Sequence, residues 1–260
     1  MDASDTRRGA PSIHKSFEKM HTANNLVGSS AQFGVASAIL IGDLALIWSA
    51  QMLHNSGISS QDLIRALPIY DEMRVELMAG QYLDVYEQSL GTQSIERSLK
   101  VARYKSGKYS IERPLHFGAA LSGKKELMSA YSSFGLPLGE AFQLRDDLLG
   151  VFGDPEVTGK PAGDDLREGK RTVLIALTMQ AVGKQERELL TDSLGDEGLD
   201  KTQILELQEI ISSSGAVAQV EKLITELRDR AISALRDSQV ETSILSVLEE
   251  MATIATQRSL

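Results

Sequence analysis

The residues of this chain best suited to chemistry stand close together, at Gln143, Asp146 and Asp147. On an α-helix, residues four apart lie one above the other, so Gln143 and Asp147 share a face with Asp146 beside them. Adjacent carboxylates near a buried surface repel each other unless a cation joins them, and hard oxygen donors of this kind suit Mg²⁺. Taken alone, such a pair more often marks a solvated acidic face, here beside Arg145. The loop that follows changes the balance. The run GDPEVTGKPAGDDLREGKRT sets Lys160 and Lys170 among Gly153, Gly159, Gly163 and Gly169. Lysines supply cations for phosphate oxygens and glycines supply hinges, which is what a closing diphosphate site needs. It is not a P-loop, since no G-x-x-x-x-G-K-[ST] match occurs and no strand precedes it. Two further basic clusters, Arg7-Arg8-Gly9 after Asp2 and Asp5, and Lys105-Ser106-Gly107-Lys108-Tyr109, would each alone pass as surface charge.

The elements that must position these groups read as helices. Leu138, Ala141, Phe142, Leu148, Leu149 and Phe152 fit a helix around the Asp pair. Val217, Val220, Leu223, Ile224, Leu227, Ala231 and Leu235 recur at three- and four-residue steps and predict one apolar stripe. Ser212-Ser213-Ser214-Gly215 supplies a C-cap glycine and N-cap serines, which separates that helix from the one before it. The stretch opening at Lys105 runs helically to Leu121, and sustained period-two alternation is absent. Further breaks are predicted at Asn55-Ser56-Gly57, Gly91-Thr92, Ser122-Gly123 and Gly135 to Pro137. The picture is a single all-α domain over residues 1–260, with a mobile glycine-rich loop in its centre.

With 42% hydrophobic and 24% charged residues among 260, the chain has ordinary globular usage and enough length for a real core. Lys plus Arg number 27 against 36 Asp plus Glu, and the resulting charge of −9 argues against a nucleic-acid partner. The absence of Cys removes disulfides, thiolate metal ligands and cysteine nucleophiles together. The polar start, without a signal-like apolar core, implies a cytoplasmic protein. From Val35 to Leu53 the chain is nearly long enough to span a bilayer. Asp43 near its middle favours a buried helix of a soluble protein, with no transmembrane segment.

Taken together, the motifs resemble those of the trans-isoprenyl diphosphate synthases, or polyprenyl synthetases, of the bacterial geranylgeranyl and polyprenyl kind. They read D-x-x-D-T-R-R-G-x-P from Asp2, I-G-D-L from Ile41, G-Q-x-x-D from Gly80, Y-K-S-G-K-Y from Tyr104, F-Q-L-R-D-D from Phe142 and G-K-P-A-G-D-D-L-R-E-G-K from Gly159. The resemblance implies an isoprenoid-synthase-type helical bundle around a central apolar cavity, a homodimer, and Mg²⁺ ions between two Asp-rich motifs. It implies condensation of isopentenyl diphosphate with an allylic diphosphate to a trans-polyprenyl diphosphate, geranylgeranyl or longer. Carried over by position, it assigns Asp2, Asp146, Asp147 and Asp84 to metal. Lys105, Gln143, Lys160 and Lys170 become the catalytic contacts to the allylic diphosphate, joined in substrate binding by Ser106, Gln81 and Arg7, while Arg8 contacts isopentenyl diphosphate.

The chain departs from the family pattern twice. The second motif reads DDLLG, so Gly150 stands where a third carboxylate is usual. The first motif is expected as D-D-x-x-D, yet Asp2 matches its last aspartate, so the leading pair and the first helices of the bundle are missing and apolar surface should be left exposed. A non-catalytic partner subunit of such a synthase is the alternative; a terpene cyclase would want an N-D-x-x-S-x-x-x-E motif, which does not occur.

Overall fold

The computed structural model of the chain describes residues 4–7, 9–91, 93–155 and 162–257. They divide into two compact units, Met1–Ser60 with Asp154–Pro161, and Gln61–Gly153 with Ala162–Leu260.

In the first unit a short hairpin pairs β1 (Thr6–Arg7) antiparallel to β2 (Ala10–Pro11), in register Thr6 with Pro11 and Arg7 with Ala10. Its turn includes Gly9 at φ +73°, a left-handed conformation that glycine adopts without strain. The helix α1 (Ile13–Ala23) packs on α2 (Ser30–His54), whose first turn is capped by Ser29 accepting from the Gln32 N–H. Gly34 makes the approach possible, because a Cβ there would lie 3.2 Å from the Glu18 nitrogen and closer still to the His14 carbonyl. Phe33 fills the seam between the rings of Phe17 and His21, at centroid distances of 6.3 and 5.2 Å.

The apolar stretch is thus a helix, but the expectation that it is buried is corrected. Ile39, Leu40, Ile47, Trp48 and Met52 on α2 are all exposed, Met52 by 73%. The cause is circumferential: the helix is apolar all round, and α1 can cover only one stripe of it. Among the described residues, Ser30–His54 is long and apolar enough to cross a membrane, with Asp43 near its middle.

The second unit begins along α3 (Ser60–Leu90). Next, α4 (Ile95–Ala102) passes without a break into a π-helix (Arg103–Glu112) and then α5 (Arg113–Leu121), so the helical stretch to Leu121 stands, with a wider turn than expected. A 3₁₀ turn (Lys125–Leu127) leads into α6 (Met128–Phe152). Then follow α7 (Asp164–Arg167), α8 (Val173–Ala181), α9 (Lys184–Ser193), α10 (Lys201–Ser213), α11 (Ala216–Arg236) and α12 (Thr242–Thr256).

The break predicted at Gly135 to Pro137 does not occur, since α6 runs straight through both residues. Proline deprives a helix interior of one hydrogen bond, but both residues are buried in packing that holds the helix together. A Cβ at Gly135 would lie 2.9 Å from Glu112 Cα, so the glycine serves close contact with the π-helix rather than a turn. The predicted stripe of α11 is borne out: Val220, Ile224, Leu227, Ala231 and Leu235 are buried, and Gly215 at φ +78° separates α10 from α11. Packed against both α11 and the π-helix, α6 is the central element of the unit. Ala141, Leu144, Leu148 and Val151 enter one core with α8, α10 and α11, while Phe134 and Leu138 join a second with Leu235, Leu248 and Ala252.

Candidate active site

The central helix carries the paired aspartates on its boundary. Asp146 points to solvent, whereas Asp147 is buried at 6% exposure. Burial pushes the Asp147 carboxyl up to about 7, and the nearby charge of Asp165 pushes the same way, against a donor from Gln143. That donor is Gln143 Nε2, 2.7 Å from Asp147 Oδ1. Ser106 Oγ donates in turn to Gln143 Oε1, which fixes the amide's orientation. Asp147 is thereby tied through one amide to the π-helix.

The π-helix can come this close because glycines line both of its sides. A Cβ at Gly139 of α6 would lie 2.9 Å from the Gly107 carbonyl carbon and closer to its Cα. A Cβ at Gly80 of α3 would lie 2.7 Å from Tyr104 O and closer to the Lys105 nitrogen. One turn after Gly80, the buried Asp84 accepts from Lys105 Nζ at 2.6 Å. On the far side, Lys170 Nζ donates to Asp165 Oδ1 and lies 2.9 Å from Glu168 Oε2. Burial alone would lower the Lys170 pKa, but these two carboxylates outweigh it and hold the ammonium charged.

Asp84, Lys105, Gln143, Asp147 and Lys170 therefore line one recess, together with Ser98, Arg171 and Thr172. Its volume is only about 20 Å³, and the Lys105 to Asp84 ion pair lies within its lining, whereas Lys170 is held by acids that are not among the lining residues. Ser106 reaches the recess through Gln143, Gln81 lies half-buried one turn before Asp84 without lining it, and Asp146 stays outside on the same helix. Arg7 lies exposed on β1 in the first unit. Asp2, Arg8 and Lys160 fall outside the described residues. A separate apolar pocket of about 310 Å³ is walled by Phe134, Leu138 and Phe142 of α6 and by Leu248 and Met251 of α12, with Ser110 as a polar member.

The sequence profile of the polyprenyl synthetases matches residues 1–211. The chain belongs to the polyprenyl synthetase family. It is 31% identical to the geranylfarnesyl diphosphate synthase of Aeropyrum pernix over 225 residues, 85% of this chain and 64% of that protein. It is 32% identical over 189 residues to the (2E,6E)-farnesyl diphosphate synthase of Mycobacterium tuberculosis, 71% of this chain and 52% of that protein. The chain thus spans less than two thirds of the length of these relatives. The crystal structure of a geranylgeranyl pyrophosphate synthase from Corynebacterium glutamicum, complexed with isoprenyl diphosphate and magnesium, superposes with a TM-score of 0.96 at 42% identity. That match covers 99% of this chain and 73% of the other. The all-α helical-bundle fold implied by the motifs is the fold observed for this chain.

Sequence reasoning missed some residues of the recess. Arg171 follows Lys170 directly, yet only the structure shows its Nε buried without a partner among the described residues and its guanidinium pKa lowered by burial. Asp165 stands in the same glycine-rich run, five residues before the lysine it pairs with. That spacing across α7 was the available signal. Asp84 and Asp147 bring carboxylates to the lining of the recess, with Asp146 beside them, a set that fits a hard divalent cation such as Mg²⁺. Among the described residues no three acidic or histidine side chains are grouped closely enough to hold a metal ion.

Proposed function

We propose that the chain carries the second metal- and diphosphate-binding half of a trans-polyprenyl diphosphate synthase. The enzyme condenses isopentenyl diphosphate with an allylic diphosphate to a geranylgeranyl or longer product. The observation that carries this reading is the recess itself, in which a buried and a half-buried lysine, one amide and two buried carboxylates meet on four different segments. The relatives' names and the isoprenyl diphosphate and magnesium in the Corynebacterium structure support it. The family match runs through both units, which supports treating residues 1–260 as one domain.

Asp146, Asp147 and Asp84 would hold Mg²⁺, joined by Asp2 on the resemblance, and the metal would stabilise charge developing on the departing diphosphate. The chain's own residues do the rest. Lys105 and Lys170 exchange their carboxylate partners for phosphate oxygens, which frees Asp84 and Asp165 and widens the recess. Gln143, oriented by Ser106, holds the Asp147 carboxylate in place. The allylic C–O bond breaks with its electron pair leaving on diphosphate, and the alkene of isopentenyl diphosphate supplies the pair for the new C–C bond. A proton is then lost to the diphosphate, so no protein nucleophile is required. Burial of the recess keeps water from the allylic cation. A homodimer accompanies this reading, and the exposed Ile64, Val75, Met78 and Tyr82 of α3 supply an apolar face for it.

The test is incorporation of labelled isopentenyl diphosphate onto farnesyl diphosphate, measured on this chain and on any longer product of the same gene. Incorporation that needs Mg²⁺ and is lost in Asp147→Asn supports a synthase. Silence from both forms, with intact folding, favours the non-catalytic subunit.

A further inference from the structure

Glu76, Gly80 and Asp84 stand four apart along α3 and share the helix face turned to the π-helix. Asp84 accepts from Lys105 Nζ at 2.6 Å, and at Gly80 the two backbones come together. Two turns from Asp84, about 12 Å along the axis, Glu76 grips the other end of the π-helix. Its Oε1 accepts from Lys108 Nζ at 2.6 Å and from Arg113 Nη2 at 2.8 Å, and its Oε2 accepts from Arg113 Nε at 2.7 Å. Burial alone would raise the Glu76 pKa, yet these donors bring it below the ordinary carboxylate value, so the clamp is ionic. Glu112 backs Lys108 at 3.4 Å, and Glu72 backs Arg113 at 3.0 Å. None of these five residues lines the recess.

The two ties between α3 and the π-helix differ in what a diphosphate does to them. Lys105 exchanges Asp84 for phosphate oxygens, so the tie at Asp84 is given up on binding, whereas the tie at Glu76 takes no part in the exchange. We propose that Glu76 is a positioning residue for Lys105, its clamp on Lys108 and Arg113 holding the π-helix against α3 while Lys105 is away from Asp84. This rests on reading the recess as a diphosphate site, and Glu76 itself touches no substrate. The clamp matters more with diphosphate bound than without it, because in the free protein Asp84 shares the hold. Where residue 105 cannot pair with Asp84 at all, the hold is the same in both states, and losing Glu76 no longer alters affinity.

The test is calorimetric binding of inorganic pyrophosphate with Mg²⁺ to the wild type, Glu76→Gln, Lys108→Met, Lys105→Met and the two double variants that add Lys105→Met. Glu76→Gln and Lys108→Met should each lower affinity about tenfold, and each should alter it by less than about twofold in the Lys105→Met background. A merely structural role lowers affinity by the same factor in both backgrounds. Thermal unfolding of the metal-free proteins reads the same coupling without ligand: Glu76→Gln should lower the melting temperature more in Lys105→Met than in the wild type. Lys108→Met leaves Glu76 its bonds to Arg113, so it carries both measurements if Glu76→Gln does not fold. The inference is overturned if the affinity loss persists undiminished with Lys105→Met, or if the fall in melting temperature is the same in both backgrounds. A wild type that binds no pyrophosphate with Mg²⁺ overturns the reading of the recess and this inference with it. Wild-type binding that Glu76→Gln and Lys108→Met leave untouched overturns this inference only.

Discussion

Gln143 donates to Asp147 one turn further along α6 while accepting from Ser106 on the π-helix, so a single amide joins the buried carboxylate to a second segment. Replacing Gln143 with Leu leaves Asp147 buried without its donor and Ser106 without its acceptor. Hydrogen bonds to charged groups contribute about 1.5–3 kcal/mol, so Mg²⁺-dependent pyrophosphate affinity should fall by roughly 10- to 100-fold. Gln143→Glu, which places a second carboxylate against Asp147, should fall further. Titration calorimetry checks both.

Asp147 makes stability depend on pH. With a folded value of about 7 and an unfolded value near 4, the folded protein keeps a proton that the unfolded chain has already released between those limits. Stability is therefore full below about pH 4 and is lost as pH rises towards 7, by up to about 1.4 kcal/mol per unit. Urea midpoints across pH 5 to 8 should show this fall in the metal-free protein. Asp147→Asn should flatten it, and so should Mg²⁺ with pyrophosphate, which favour the ionised carboxylate.

Arg171 has a buried Nε with no partner, and burial lowers its pKa. A half-buried cation lining the recess, with no ion pair to an acid among the described residues, is suited to an incoming anion. Arg171→Met should leave the melting temperature unchanged or raised, yet weaken pyrophosphate binding by about tenfold. Thermal unfolding together with calorimetry separates this from a merely structural role, which would lower both.

Gly139 and Gly107 let α6 and the π-helix touch backbone to backbone. Gly139→Ala forces them apart, and overpacking of this kind costs about 1–3 kcal/mol. The shift should also break the Ser106 to Gln143 hydrogen bond and weaken Mg²⁺-dependent pyrophosphate binding, read by titration calorimetry, while Gly118→Ala, at a position with open space, should change neither.

Much of the site was legible because its chemistry sits in local patterns. The Gln143 to Asp147 spacing implied one helix face, and the stripe from Val220 to Leu235 implied a buried helix. What stayed hidden depends on contacts between distant segments. Nothing near Gly150 signals that Asp165 lies over it, and nothing near Lys105 singles out Asp84 as its partner 21 residues earlier. Apolar spacing does not distinguish an i→i+4 from an i→i+5 hydrogen-bond register, so the π-helix went unforeseen. The exposed α2 shows the converse: apolar composition states what a helix would bury, not whether a neighbour within the unit buries it.

Whether this recess takes a metal-bound diphosphate by partner exchange is decided by a crystal structure of the protein with Mn²⁺ and inorganic pyrophosphate. Partner exchange would give anomalous density beside Asp146 and Asp147, with Lys105 Nζ released from Asp84 and Lys170 Nζ released from Asp165, both bonded to phosphate oxygens. Pyrophosphate bound elsewhere, with both lysines still on their carboxylates, would contradict it.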